Sequence, residues 1–318
     1  MSKGLVTVFG GSGFVGKHVV RALVKDGWRV RVPCRRPHTA QDLRVIGNVG
    51  QIQLMQANIR YKNSVMRAVE GSDAVINLVS ILFQEGQQKF GSVHMGGAEN
   101  LVEACQAAGV TNFVQVSAIG ADKDADSDYA RTKGQAEAII QDAIPSADIV
   151  RPSIIFGTED AFFNRFAKMA SMAPALPLIG GDTKFQPVYA GDVAEAIAKL
   201  VRRGTSGDIY ELGGPRVYTF KGLMQFVLEA TDRKRFLLPV PWMGATALGM
   251  VGEITGALPF VKPFLTRDQV TNLKVDNIVS DDAMGFAELG VDLETIESIV
   301  PAYLERYRKH GQFHEKTS

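Results

Sequence analysis

The stretch Gly10-Gly11-Ser12-Gly13-Phe14-Val15-Gly16 decides the fold, because it lies between an apolar run at residues 5–9 and a helical pattern at residues 14–26. Its glycines fit G-x-G-x-x-G from Gly11 and the wider G-x-x-G-x-x-G from Gly10. At a strand–helix junction, glycines permit a tight turn, close helix–strand packing and close approach of a pyrophosphate to the backbone. The pyrophosphate then lies at the positive end of the helix. The pattern therefore predicts a dinucleotide site formed by Gly10, Ser12, Gly13, Phe14, Val15 and Gly16.

Arg35 and Arg36 indicate which dinucleotide binds. They follow the second predicted strand, where an NAD-selective site has an Asp or Glu that hydrogen-bonds the ribose 2′-hydroxyl. A guanidinium group suits a 2′-phosphate instead. We therefore expect NADPH or NADP⁺ as the cofactor. In the alternative interpretation, the two arginines are solvated loop charges.

Apolar runs alternate with amphipathic helical stretches through the first half of the chain, which predicts parallel strands joined by helical crossovers. The predicted strands are residues 4–9, 28–33, 51–56, 74–79, 112–117 and 147–151, and the predicted helices are 14–26, 61–70, 92–109 and 129–143. This order predicts an α/β fold with a doubly wound parallel sheet of the Rossmann type. Prolines interrupt the chain after residue 151. We therefore expect a dinucleotide-binding core at 1–151 and a smaller, mixed C-terminal lobe at 152–318, interleaved with the core.

The composition excludes several classes of function. Thirty-five basic and 34 acidic residues give a formal charge of +1, so no overall field draws the chain to nucleic acid, and no nucleic-acid partner is expected. The two cysteines, Cys34 and Cys105, have no metal-ligand spacing and indicate a reducing compartment. The strand at residues 5–9 leaves no room for a signal peptide, so we expect a cytoplasmic protein or a processed organellar one. No metal site is predicted, because the five histidines are not spaced as metal ligands. We expect all five at surface or capping positions: His18, His38, His94, His310 and His314.

Residues 238–265 form an unusually apolar segment that is interrupted by prolines and by Glu253. A membrane-spanning helix needs roughly 20 uninterrupted apolar residues, so this segment is not expected to span a bilayer. Two interpretations stay open. The segment is either a buried helix of the small lobe or an amphipathic surface that docks on a membrane or on a hydrophobic partner.

Motifs along the first half resemble those of the extended and atypical short-chain dehydrogenases/reductases. They are, in the order of that family, the wider glycine spacing, Asn77-Leu78-Val79-Ser80, the Tyr129-x-x-x-Lys133 pair and Arg151-Pro152-Ser153-Ile154-Ile155-Phe156-Gly157. Residues 186–193 (QPVYAGDV) and 266–270 (TRDQV) are more specifically similar to one atypical branch. That branch is the nucleotide-binding accessory subunit of respiratory complex I, of the alpha-subcomplex subunit 9 type, with its bacterial relatives. The likeness extends over nearly the whole chain.

The resemblance implies where a bound cofactor lies. The adenosine end would contact Arg35, Arg36, Asn58 and Ile59, and the segment Leu78, Val79 and Ser80 would pass beneath the ribose. Asn58 stands where much of the family has Asp, and an amide can still meet an adenine edge. The nicotinamide end would lie beside Pro152, Ser153 and Ile154.

The resemblance also implies a catalytic group. In active members, a Tyr is the general acid, a Lys four residues later binds the ribose and lowers the pKa of that Tyr, and a Ser or Thr polarises the carbonyl. The matching residues here are Tyr129, Lys133 and Ser117, and positions i and i+4 share one face of a helix. The active enzymes carry their hydroxyl one residue after Ser117, where this chain has Ala118. Loss of a positioned donor commonly costs about 10²–10³ in rate. Lys133 keeps a cofactor-binding role in either case.

Three hypotheses about function follow. In the favoured one, the chain is an NADP(H)-binding accessory subunit of respiratory NADH:ubiquinone oxidoreductase (complex I), whose other subunits are its partners, at the cytoplasmic face of a bacterial inner membrane. The cofactor is then structural or regulatory. In the second, the chain is a free-standing NADP-dependent reductase or isomerase of a small carbonyl or sugar-like substrate. In the third, it is a redox-sensing regulator that binds the cofactor and no substrate.

Overall fold

The computed structural model of the chain describes residues 3–256, 263–309 and 311. The chain forms two compact units. The first comprises Met1–Pro152, Gly191–Leu212 and Ser280–Asp292, and the second comprises Ser153–Ala190, Gly213–Val279 and Leu293–Ser318. The first unit thus takes two segments from the part of the chain that the proline pattern assigned to the C-terminal lobe.

The strands run in chain order β1 (Leu5–Phe9), β2 (Arg29–Cys34), β3 (Ile52–Gln56), β4 (Ala74–Asn77), β5 (Phe113–Val116), β6 (Asp148–Pro152), β7 (Ile155–Phe156), β8 (Ala175–Ile179), β9 (Lys184–Phe185), β10 (Val188–Tyr189), β11 (Ile209–Leu212), β12 (Tyr218–Thr219) and β13 (Phe236–Val240). The α-helices are α1 (Phe14–Lys25), α2 (Lys62–Val69), α3 (Gly96–Ala108), α4 (Asp128–Ala143), α5 (Phe162–Met172), α6 (Ala190–Arg203), α7 (Phe220–Ala230), α8 (Trp242–Gly256), α9 (Arg267–Asn272), α10 (Phe286–Leu289) and α11 (Ile296–Leu304). A π-helical turn, Gly91–Met95, leads into α3.

The first unit is built on a parallel sheet with the strand order β11-β6-β5-β4-β1-β2-β3. The predicted doubly wound Rossmann sheet is therefore confirmed, and each predicted strand lies within two residues of its observed bounds. Strands such as β1 and β4 are buried along their whole length, as expected where helices cover both faces of a parallel sheet. One core of this unit joins α2, α3 and α4 to the sheet through residues such as Val65, Leu101 and Ile140.

Strand β11 was not among the predicted strands, and it extends the sheet beyond β6. Glu211 lies opposite Arg151 in the parallel register of these two strands. The Arg151 guanidinium donates two hydrogen bonds to the buried carboxylate of Glu137 on α4, at 3.1 and 2.6 Å, and its Nη1 lies 3.7 Å from Oε1 of Glu211. The hydrogen bonds to Glu137 raise the pKa of Arg151 further, so the cation stays charged between two carboxylates. This ionic group attaches both α4 and the edge strand to β6.

The second unit is a mixed lobe of short elements. Its strands form two-stranded pairs, β7 with β10, β8 with β13 and β9 with β12. Its core is rich in aromatic side chains from α5, α7, α11 and the strands between them, including Phe163, Phe220 and Tyr303. Edge-to-face ring contacts connect Phe162 to Phe163 and Phe220. The smaller mixed lobe that the sequence predicted is confirmed.

The apolar segment 238–265 forms the end of β13, helix α8 and the approach to α9, while its residues 257–262 lie outside the described part of the chain. The interpretation as a buried helix is wrong for α8. Met243 is 87% exposed and Ile254 is 72% exposed, and Phe236 on β13 is also exposed. On its buried face, α8 packs through Ala245 and through glycines against which the backbone of residues 265–267 lies in close contact. Within the described ranges, no helix is both long enough and apolar enough to cross a bilayer.

Candidate functional site

The glycine turn lets α1 start directly against β1. Gly10 has a φ of +82°, a conformation that side chains disfavour, and its carbonyl oxygen accepts the Gly13 N–H at 2.9 Å. A Cβ atom at Gly16 would lie 2.2 Å from that same oxygen. The turn therefore requires glycine at both positions, as the motif indicates.

The N-terminus of α1 is suited to an anion. Gly13 is its N-cap and supplies no side-chain cap, and the first turn has no acidic residue. The first N–H groups of a helix lack partners within the helix and carry a partial positive charge. A pyrophosphate supplies the acceptors that these groups need.

A cavity of about 280 Å³ lies at the carboxyl ends of β1, β2, β3 and β4. Among the described residues that line it are two arginines, Arg35 and Arg60, and no carboxylate. Much of the predicted cofactor site meets here. The predicted residues that line the cavity are Gly10, Ser12, Gly13, Arg35, Asn58, Ile59, Leu78, Val79 and Ser80.

Other predicted residues lie next to the cavity lining without being part of it. Phe14, Val15 and Gly16 form the first turn of α1. Arg36 is exposed and precedes a 3-10 helix at Pro37–Val45. Its carbonyl oxygen accepts the Thr39 hydroxyl at 2.9 Å.

The segment after β4 is fixed by hydrogen bonds from within the sheet. The Leu78 N–H donates to the carbonyl oxygen of Phe9 at 2.9 Å. The Val79 N–H donates to Oδ1 of Asn77, and Nδ2 of Asn77 donates to Oε1 of Gln115, at 3.1 and 2.9 Å. Asn77 is buried, so these bonds fix the backbone of Leu78 and Val79 beside the cavity.

Ser117 directly follows β5, and Tyr129 and Lys133 lie on α4, all in the first unit. Ser127 caps α4, so Tyr129 and Lys133 lie one turn apart near its start. The Lys133 Nζ donates to the carbonyl oxygen of Val116 at 2.9 Å, next to Ser117. Burial lowers the pKa of Lys133 to about 8, although the Glu137 carboxylate raises it. The Ser117 hydroxyl is buried and finds no hydrogen-bond partner in the described part of the chain.

The three residues predicted for the nicotinamide end divide between the units. Pro152 ends β6, and its carbonyl oxygen accepts the Ile119 N–H at 3.1 Å. Ser153 and Ile154 belong to the second unit. The Ser153 hydroxyl lies 2.7 Å from Oδ1 of Asn277, and the Ile154 carbonyl oxygen accepts the Val188 N–H at 2.9 Å.

The sequence pattern of the NAD dependent epimerase/dehydratase family matches residues 6–213, which is more than half of the chain.

The chain belongs to this family.

Similar proteins extend the match to most of the chain. The alpha subcomplex subunit 9 of mitochondrial NADH dehydrogenase [ubiquinone] 1 from Arabidopsis thaliana is 34% identical, over 96% of this chain and 79% of that protein. A ceramide reductase from Caulobacter vibrioides is 28% identical, over 81% of this chain and 80% of its own length. Among solved structures, an NADPH-dependent quinone oxidoreductase from Escherichia coli, complexed with NADPH, superposes with a TM-score of 0.74 at 20% identity, over 94% of this chain and 99% of that one.

His94 contacts Ser80 and Tyr129 of the candidate site, and no motif in the sequence singles it out. We expected a surface or capping position, and this is wrong, because His94 is only 4% exposed. Its Nε2 accepts the Ile81 N–H at 3.3 Å and lies 3.2 Å from the Ser80 hydroxyl, and its Nδ1 lies 2.9 Å from the Thr132 hydroxyl. The bond from Ile81 assigns the ring proton to Nδ1. A neutral His94 therefore joins the segment after β4 to α4.

The ring of His94 also fixes the surroundings of Tyr129. It stacks on Phe90 with centroids 5.5 Å apart and meets the Tyr129 ring edge-on at 5.8 Å. Burial lowers the pKa of His94 to about 3, and the Lys133 cation acts in the same direction. The π-helical turn that carries His94 is a type of irregularity often found at functional sites. Among the described residues, no group of three or more His, Cys, Asp and Glu could hold a metal ion, and His310 and His314 lie outside them.

The depressed pKa of His94 predicts a loss of stability in mild acid. Below about pH 6.5 the unfolded chain binds a proton at His94 that the folded chain excludes, so this contribution is fully present above pH 6.5 and is lost as the pH falls toward 3. Between pH 7 and 5, wild type should lose about 1–2 kcal/mol more unfolding free energy than a His94→Gln variant. Urea unfolding at both pH values measures this.

His38→Gln is the matched control for this measurement, because His38 is exposed. This variant should lose as much stability in acid as wild type. An acid loss in His94→Gln equal to that of wild type would contradict the assignment of a buried, neutral imidazole.

Proposed function

We propose that this chain binds NADP(H) in the cavity of its first unit and serves as an accessory subunit of respiratory NADH:ubiquinone oxidoreductase, with the cofactor in a structural or regulatory role. The observation that carries the cofactor assignment is the charge of the cavity lining. Arg35 and Arg60 contribute to it, and no carboxylate does among the described residues. An NAD-selective site uses a carboxylate for the 2′-hydroxyl, whereas a 2′-phosphate dianion needs cations.

Each part of the dinucleotide has matching residues in this proposal. The N-terminal amides of α1 after Gly13 bind the pyrophosphate, Arg35 and Arg36 bind the 2′-phosphate, and Asn58 and Ile59 contact the adenine. The Asn58 Oδ1 accepts the Arg60 N–H at 3.2 Å, so its amide nitrogen is the group that donates to the base.

Further residues serve the ribose and the nicotinamide end. Leu78, Val79 and Ser80 support the ribose, and the unsatisfied Ser117 hydroxyl and the Lys133 ammonium serve the nicotinamide half. Bound NADP(H) would be capable of hydride transfer. In the proposed role as an accessory subunit, its binding would instead stabilise the folded chain. Pro152, Ser153 and Ile154 are assigned to the nicotinamide by resemblance.

The apolar surface of the second unit supports a role as a subunit. Monomeric proteins rarely expose contiguous apolar patches larger than a few hundred Å². On α8, exposed large apolar side chains lie at Met243, Leu248, Val251 and Ile254. At 15 residues, α8 is about 22 Å long, which suits a helix that lies on a membrane surface or a partner subunit.

The proposed location is the cytoplasmic face of a bacterial inner membrane. Cys34 and Cys105 are free thiols and are both buried. Unpaired thiols of this kind are typical of a reducing compartment. An apolar surface together with a reducing environment is consistent with contact between the segment 238–265 and the membrane-proximal part of an enzyme complex.

Replacement of Arg35 and Arg36 by Ala should weaken NADPH binding by a factor of about 100 and NADH binding by less than about threefold, because charge-assisted bonds to phosphate contribute about 1.5–3 kcal/mol each. Isothermal titration of the full chain with each cofactor measures both affinities. Arg44→Ala, in the same loop region and outside the cavity lining, is the matched control and should change neither. An equal loss of affinity for NADPH and NADH would exclude the proposal that these two arginines bind the 2′-phosphate.

The chain should co-migrate with NADH:ubiquinone oxidoreductase when the complex is purified from native membranes in mild detergent. The double variant Met243→Glu and Ile254→Glu should reduce this co-migration at least about tenfold, since it places two charges on the exposed face of α8. The control Val45→Glu and Val49→Glu charges two exposed valines of the first unit and should leave co-migration intact. A wild-type chain that never co-migrates with the complex would refute the subunit role.

The second candidate function is an NADP-dependent reductase or isomerase of a small carbonyl or sugar-like substrate. The placement of Tyr129 and Lys133 on one face of α4 favours it, and the likeness to a ceramide reductase adds support. Lys133 with its pKa lowered to about 8 would assist a Tyr129 that protonates the substrate oxygen.

If this second function is correct, NADPH oxidation with an active carbonyl substrate should fall at least about 100-fold in Tyr129→Phe, because general acid catalysis commonly contributes 10²–10⁴-fold. NADPH affinity should remain within about threefold. Turnover that is indifferent to this change would remove the proposed mechanism.

A further inference from the structure

A tight turn at residues 85–88 lies beside the arginines of the cavity. Glu85 and Gln88 exchange backbone hydrogen bonds of 3.1 and 2.8 Å, and Gly86 between them has a φ of +51°. Two residues at the tip and a bonded pair at the base make a two-residue hairpin. Gln88 therefore has a defined backbone position, and it is also part of the cavity lining.

Both cavity arginines bond to this turn. The Arg35 Nη1 donates to Oε1 of Gln88 at 2.6 Å, and the Arg60 Nη1 donates to the carbonyl oxygen of Gln87 at 2.9 Å. The Arg60 guanidinium also lies over the Tyr61 ring, 5.5 Å from its centroid. In the part of the chain that the structure describes, neither arginine forms an ion pair. Both guanidinium groups are thus oriented by neutral acceptors and keep their full charge for an anion.

We infer that Gln88 is a specificity-determining residue for the 2′-phosphate, with Arg60 as a second cation of that subsite. This inference rests on the proposed NADP(H) site. The Gln88 Oε1 holds the Arg35 guanidinium at the cavity without neutralising it, and the amide nitrogen of the same side chain has two N–H groups to donate to phosphate oxygens. A ribose 2′-hydroxyl needs neither cation, so the turn discriminates between NADPH and NADH.

The choice of an amide at position 88 follows from electrostatics. A carboxylate there would pair with the Arg35 fork in a bidentate arrangement and would repel a phosphate dianion. The same carboxylate would accept a hydrogen bond from a ribose 2′-hydroxyl, as acidic residues do in NAD-selective sites. The amide nitrogen of Gln88, which a carboxylate would replace with an oxygen, therefore favours NADPH over NADH. A single substitution at this position can reverse the preference.

The test titrates the purified full chain with NADPH and NADH, and with adenosine 2′,5′-bisphosphate and 5′-AMP, which carry the adenosine end alone. Gln88→Glu should bind NADPH and the bisphosphate at least about tenfold more weakly, while NADH and 5′-AMP bind as tightly as before or more tightly. Gln88→Ala should weaken NADPH about threefold, and Arg60→Ala should weaken it about tenfold. The matched control is Gln87→Glu, which adds the same charge one residue away on an exposed side chain.

If Gln88→Glu and Gln87→Glu change NADPH affinity equally, the added negative charge acts regardless of its position, and the role of Gln88 is refuted. Arg35→Ala separates this result from a failure of the cofactor assignment. If Arg35→Ala weakens NADPH and not NADH while Gln88→Glu has no selective effect, only the inference on Gln88 falls. If Arg35→Ala weakens both cofactors equally, the proposed NADP(H) site itself is wrong.

Discussion

Helix α1 follows β1 so closely that Gly16 has no room for a side chain, since a Cβ atom there would lie 2.2 Å from the carbonyl oxygen of Gly10. This approach sets where α1 begins and which backbone N–H groups its N-terminus presents. The strands on both sides of β1 then end at the same edge of the sheet, which brings Arg35, Asn58 and Leu78 to one cavity. Parallel sheets bind ligands at this edge because their strands all end there. The site therefore depends on a contact between two backbone segments six residues apart.

Much of this unit follows from local sequence, because strands such as β1 (LVTVF) and β4 (AVIN) are largely apolar and the glycine turn marks where β1 ends. Strand β11 (Ile209–Leu212) has only four residues and carries the charged Glu211, so its sequence gives a weak strand signal. The sheet tolerates this carboxylate since the Ser280 N–H donates to it at 2.8 Å and Arg151 lies beside it. Both partners are distant in sequence, so no periodicity can reveal them.

The same distinction divides the candidate site. The glycine turn and Arg35 could be predicted because motif spacing and strand ends determine their places. Gln88 could not, because it reaches Arg35 from the turn at residues 85–88, 53 positions along the chain. His94 lies within a predicted helix whose pattern does not indicate a π-helical turn, and that turn puts the ring between α4 and the segment after β4. Residues whose role depends on long-range contacts require the fold to be known first.

Helix α8 packs closely through its backbone, and the Glu253 carboxylate near its end accepts hydrogen bonds from Arg267. A Cβ atom at Gly252 would lie 1.9 Å from the carbonyl oxygen of Leu265, and one at Gly249 would lie 2.8 Å from the Arg267 nitrogen. With its inner face reduced to glycine and alanine, the helix directs its large side chains outward, where water is a poor solvent for them. The isolated chain would bury this face against other copies of itself. Its solubility and oligomeric state during purification should then depend on mild detergent. The behaviour of the isolated chain in solution would thus report how much apolar surface α8 exposes.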